Sequence, residues 1–132
     1  MLSPVLQNQF ARLKARYDGA TLEALSSGAA LVTIPDFPLP AGWTANATQV
    51  RFLVPVGYPG PYPDCFWATS GLRLANGQLP TNASDPNLIP ETAHQDLWFS
   101  WHIVDAANNW NPSRDDLLTY TSIVALRFEK LQ

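Results

Sequence analysis

The stretch "FSWHIVDAANNWNPSRDDLL", residues 99–118, sets His102 between Trp101 and Ile103. An imidazole titrates near neutral pH and serves as a base, a nucleophile or a metal ligand. The structural alternative is a half-buried ring with one satisfied hydrogen bond. Ser100 lies two positions before it, so extended backbone sends both side chains to one face and allows them to pair. The second histidine, His94, has Asp96 close by and would need a third ligand such as Asp105 to hold a cation. That spacing matches no compact ligand motif, and no metal site is expected. Cys65, the only thiol, heads an apolar stretch in "YPDCFWAT", where burial is the expected fate rather than reactivity. The sequence holds no nucleophile elbow, no phosphate-cradling glycine loop and no paired carboxylates, and no cofactor is expected.

The elements that must position these groups follow from periodicity. Leu6, Phe10, Leu13 and Tyr17 mark one face of a helix over residues 4 to 17, with Ser3 and Pro4 to open it and Asp18-Gly19 to stop it. A buried run from Ala30 to Ile34 follows, and then Pro35, Pro38 and Pro40, which lack donors and belong at a strand edge or in a loop. In "TQVRFLVPV", Val50, Phe52 and Val54 alternate with Gln49, Arg51 and Leu53 as in a strand, and "CFWATSGLRL" reads as another with a glycine turn. Residues 76 to 95 carry Gly77, Pro80, Pro86 and Pro90 without apolar periodicity, which predicts a long ordered loop. After "WFSWHIV", Asn108 and Asn109 lead to Trp110, and Ser113 with Asp116 suggests a capping box at the start of the last helix. That helix aligns Leu117, Tyr120, Val124, Phe128 and Leu131. The expected architecture is α+β: an N-terminal helix, a small antiparallel meander, a long irregular active-site loop and a C-terminal helix packed on the sheet.

Composition narrows the functions. At 132 residues the chain has room for one domain, residues 1–132, with one core. Apolar residues reach 46% and charged residues only 14%, which favours folding over disorder. A net charge of −3 and scattered Lys and Arg make nucleic acid an unsuitable partner. The apolar runs fall short of a membrane span and the N-terminus lacks the order of a secretory signal, so no membrane partner and a cytoplasmic setting are expected. One cysteine makes no internal disulfide, leaving stability to five Trp, six Phe and four Tyr.

The order of motifs adds a resemblance. "VPVGYPGPYPDCFWAT", with Tyr58 and Pro59, looks like the strand, Tyr-Pro turn and aromatic strand of ubiquitin-conjugating enzymes. "HIVDAANNWNPS" resembles their active-site segment, in which the catalytic cysteine precedes a tryptophan by eight residues. His102 precedes Trp110 by the same eight, and so stands where the cysteine would. The bacterial branch described as prokaryotic family E of the ubiquitin-conjugating (UBC-like) superfamily is similar in carrying histidine there. This resemblance implies a UBC-like fold acting in ligation of a ubiquitin-like modifier. Its implied partners are the modifier, an adenylating activating enzyme and a metal-dependent isopeptidase of the JAB type, and it leaves antiviral defence and housekeeping conjugation both open. His102, with Ser100 beside it, becomes the catalytic candidate. Asn87, Trp98, Trp101, Asp105 and Trp110 form the implied surround, with the tryptophans as shelter from water, and helix one implies docking through Arg12, Lys14 and Arg16.

The sequence departs from the family at three points. Asp85-Pro86-Asn87 only loosely echoes the family's His-Pro-Asn motif and precedes His102 by a longer gap, so Asn87 is assigned no oxyanion role; the triplet is also a good turn. The sheet reads as one strand short of the full enzyme. The thiol is missing, and a thioester carrier needs one. An acyl-imidazole on His102 would need a dry site, whereas Ser100 offers an oxyester with His102 as base. Enzyme action is therefore open, and three readings stand. They are a histidine-bearing conjugating-enzyme relative, a non-catalytic module of the same fold that docks an activating enzyme or modifier, and an unrelated small α+β interaction domain.

Overall fold

The computed structural model describes residues 2–106 and 109–132, which leaves Asn108, paired with Asn109 in the sequence reading, outside the described residues. Helix α1 spans Pro4–Arg16. Ser3 caps it, its Oγ accepting from the Leu6 amide at 3.1 Å, and Pro4 fills the first turn where no amide partner is needed. Strands follow as β1 (Thr21–Ala24), β2 (Ala30–Pro38), β3 (Ala47–Val54), β4 (Phe66–Ala68), β5 (Ala83–Leu88) and β6 (Gln95–Phe99). A 3-10 turn, Ile103–Ala106, and helix α2, Leu117–Glu129, complete the elements.

The strands pair antiparallel in the order β1-β2-β3-β4-β6-β5. In β3 the expected alternation holds, with Val50, Phe52 and Val54 buried and Gln49, Arg51 and Leu53 half-buried. Pro35 falls at the register shift between Ile34 and Phe37 in β2, where its missing donor breaks no ladder pair.

Three expectations are corrected. The sheet is not a strand short; among the described residues it has six strands, the sequence reading having missed β1, only four residues long and mostly exposed, and β5, which has no apolar alternation. Residues 76–95 are accordingly not one loop: β5 runs through them as an edge strand, and Asp85-Pro86-Asn87 sits at its register shift rather than in a reversing turn. The last helix begins at Leu117 with Asp116 as its cap, not at Ser113. The Asp116 carboxylate accepts from the Thr119 amide at 2.9 Å while the Thr119 hydroxyl accepts from the Asp116 amide at 3.1 Å, a reciprocal box one turn later than expected. Leu131 lies beyond the helix and is exposed.

Both helices contribute to one core on the inner face of the sheet. Leu6 and Leu13 of α1, with Leu117, Tyr120, Val124 and Phe128 of α2, join Val32, Phe52, Phe66 and Phe99. Phe66 and Phe99 stack at 4.8 Å between ring centroids, and Phe128 meets both edge-on. The outer face carries a smaller cluster of Leu31, Trp67 and Ile89, with Leu53, Cys65 and Trp98 against it.

Candidate functional site

Strand β6 ends at Phe99, and the chain reaches His102 just before the 3-10 turn. Asp105 locks that approach: its Oδ2 accepts from the His102 amide at 2.9 Å, and the Asp105 amide donates to the His102 carbonyl at 3.0 Å. With its backbone pinned, the ring is aimed by a residue 38 positions earlier in the sequence. His102 Nδ1 lies 2.8 Å from Asp64 Oδ1 and 3.0 Å from the Asp64 carbonyl oxygen, while Nε2 lies 3.4 Å from Ser100 Oγ. The His102 side chain is 40% exposed and that of Asp64 67%, so the group opens to solvent.

These contacts determine the tautomer. A carbonyl oxygen only accepts, so Nδ1 carries the proton and, in the neutral ring, Nε2 presents its lone pair to Ser100. The hydrogen bond that Nδ1 donates to Asp64 raises the imidazole pKa above its ordinary value, partial burial works against it, and the nearby charges of Asp64 and Asp105 add to the rise.

The implied surround divides. Trp110 does approach the Tyr-Pro turn: its Nε1 donates to the Pro59 carbonyl at 2.8 Å, and its ring stands 5.9 Å from Tyr58 and 5.7 Å from Tyr62. Trp101 is buried in the inner core, its Nε1 donating to the Ile123 carbonyl. Trp98 points to the outer face, as β-strand alternation against the buried Leu97 and Phe99 requires. The three tryptophans therefore form no common shelter. Asn87 pairs across the ladder with Asp96 and its side chain accepts from Trp67 Nε1 at 3.3 Å, so it is engaged on the outer face. His94 is exposed in the turn before β6, Asp96 is held by Arg51 at 2.7 Å, and Asp105 by the His102 backbone. Among the described residues no three His, Cys, Asp or Glu side chains gather in a way that could hold a cation.

Cys65 is half-buried against the outer-face cluster, and burial pushes its thiol pKa up, against a hydrogen bond with Trp98. Arg12 reaches across to the cap of α2, 3.3 Å from Asp116, while Lys14 and Arg16 are exposed on the last turn of α1. Beneath them Gln9, buried, accepts from both the Tyr58 hydroxyl at 2.5 Å and the Leu117 amide at 3.2 Å. This amide ties α1, the Tyr-Pro turn and α2 together. Asp64 and Gln9 were the residues that sequence reasoning missed. No spacing rule links Asp64 to a partner 38 positions away, although its place just before β4, the strand paired with β6, was a usable signal.

The family model of prokaryotic E2 family E matches residues 11–130, which takes in the Tyr-Pro turn, the His102 segment and nearly all of both helices. The chain belongs to this family. As a prokaryotic E2 family E protein it has the UBC-like α+β fold and is related to ubiquitin-like conjugation, with a modifier and an activating enzyme as its general class of partners. No curated protein and no solved structure matches the chain. Among the described residues of this family member no helix is long and apolar enough to cross a membrane.

Proposed function

We propose that this prokaryotic E2 family E protein acts in the ligation of a ubiquitin-like modifier, with His102 working at the position that the resemblance gives to the catalytic cysteine. The observation that carries this reading is the open imidazole held through Nδ1 by Asp64, with its other nitrogen free to take a proton. A ring that merely filled space would not be two-fifths exposed and aimed by a carboxylate from another loop. The base role suits the geometry better than an acyl-imidazole, since the exposed ring offers no protection from water.

The partners in this reading are a ubiquitin-like modifier, an adenylating activating enzyme that docks on α1 through Arg12, Lys14 and Arg16, and a JAB-type isopeptidase that reverses the linkage. A chain with a single cysteine, and so no internal disulfide, suits the cytoplasm of a bacterium. The alternative is a non-catalytic module that docks the same partners. It is favoured by the position of the only thiol, half-buried on the outer-face cluster.

Incubation with activating enzyme, ATP and modifier separates the two. The catalytic reading expects a covalent adduct that His102→Ala abolishes and Cys65→Ser retains. Binding of both partners with conjugation unaffected by either change supports the docking module instead.

A further inference from the structure

Resting on the reading above, we infer that the acyl group is carried by Ser100 as an oxyester, with His102 as general base and Asp64 as the residue that positions the imidazole. Three side chains from two segments meet at one ring: Ser100 Oγ at 3.4 Å from Nε2, and Asp64 Oδ1 at 2.8 Å from Nδ1. This is the order of roles that activates a serine, with the nucleophile on one ring nitrogen and the orienting carboxylate on the other. The second contact from Nδ1, to the Asp64 carbonyl, removes the alternative tautomer, so Nε2 is the nitrogen that accepts. Ser100 is itself held, its amide donating to the Asn82 carbonyl at 2.9 Å, and is half-buried rather than free on the surface.

The step balances without any further reagent than an activated C-terminal acyl group, a thioester or an acyl adenylate. Ser100 Oγ attacks the carbonyl carbon as its proton passes to His102 Nε2. The bond from that carbon to sulfur or to the phosphate oxygen breaks, and the leaving group departs with the electron pair. The imidazolium passes its proton to the departing thiolate or to water, which restores the neutral ring; an acceptor amine then attacks the ester carbon and gives its proton to Nε2, and the Ser100 oxygen leaves, recovering that proton from the imidazolium. An ester withstands the open, wet site that would hydrolyse an acyl-imidazole, which accounts for a conjugating fold working without sulfur at this position.

The charged groups that face the ring are Asp64, from the loop between β3 and β4, and Asp105, from the 3-10 turn. Both favour the protonated imidazole, so the base form, and with it acylation, appears as pH rises.

The test uses the intact chain and p-nitrophenyl acetate as the acyl donor, followed by mass spectrometry of the acylated peptide. An acetyl group on Ser100 is expected, lost in Ser100→Ala and reduced about a hundredfold or more in His102→Gln. Asp64→Asn should lower the acylation rate roughly tenfold and move the rising limb of its pH profile to lower pH, with Asp64→Glu restoring part of both. Ser100→Cys should keep the adduct as a thioester cleaved by neutral hydroxylamine. Failure of wild type to acetylate, acetylation of Ser100→Ala at the wild-type rate, or acetyl on His102 would overturn the inference. In the modifier assay, an adduct lost in His102→Ala but kept in Ser100→Ala defeats only this assignment. One kept in both defeats the proposed function as well.

Discussion

On the inner face of the sheet, Phe66, Phe99 and Phe128 are fully removed from solvent and touch one another through ring faces and edges. At the sheet's end, His102 donates hydrogen bonds to Asp64 and Asp105 and faces the Ser100 hydroxyl while much of its side chain remains in water. The first region takes its stability from apolar area, which is costly to cut and indifferent to pH. The second takes orientation from charge and geometry, which add little stability in exposed surroundings but decide where a proton sits. The chemistry is thus separable from the stability by substitution: the site can be disabled while the core stays intact, whereas loss of the core takes the site with it.

The largest effect is expected in the core: Phe99→Ala should cost about 3–5 kcal/mol in denaturant unfolding and remove the site with the fold. Next comes the buried amide that links the regions. Gln9→Ala leaves the Tyr58 hydroxyl and the Leu117 amide without their shared acceptor, and should cost roughly 2 kcal/mol by the same measurement. A loss as small as that of an exposed residue would show that the link between α1, the Tyr-Pro turn and α2 is dispensable. Asp116→Ala removes the cap of α2 and should cost about 1 kcal/mol, most of it from the cap rather than from the exposed ion pair with Arg12. Smallest in stability are the site variants. His102→Gln and Asp64→Asn should shift unfolding by less than about 0.5 kcal/mol, although the first should lose conjugation and the second slow it.

The ease of reading these two regions from the sequence differed in the same way. Apolar spacing revealed β3, both helices and most of the core, because burial imposes a period that the residues themselves carry. Strands β1 and β5 escaped because edge strands need no buried face; Thr21–Ala24 is mostly exposed, and Pro86 interrupts β5. The helix start at Asp116 escaped because Ser113 and Asp116 mimic a capping box. Asn111 instead closes its own turn, with the Asp115 amide donating to the Asn111 carbonyl and the Asn111 amide donating to the Asp115 carboxylate. Grouping the tryptophans overlooked strand alternation, which separates Trp98 from its neighbours. His102 was found by its spacing to Trp110 and Ser100 by its place beside it, but the Asp64 contact depends on the closed fold and leaves no local pattern.

The pH dependence sharpens the contrast. Since the folded protein raises the His102 pKa, the ring contributes stability that is fully present below about pH 6.5, the unfolded value, and is lost as pH rises through the folded one. Asp64→Asn should flatten that segment of the stability profile. At the acid end the sign reverses. Asp85 has its carboxyl pKa held below the ordinary range, against burial, by hydrogen bonds from Ser70, Arg73 and the Gly71 amide, so stability is lost as pH falls through that lowered value. Asp85→Asn should remove this acid-side loss and leave the His102 segment unchanged.

Nitrogen NMR of the His102 ring across a pH titration, in wild type and in Asp64→Asn, tests the central claim most directly. The account predicts a proton on Nδ1 in the neutral ring and a pKa above the ordinary histidine value that falls when Asp64 is changed. A proton on Nε2, or a pKa that does not respond to Asp64, would contradict it.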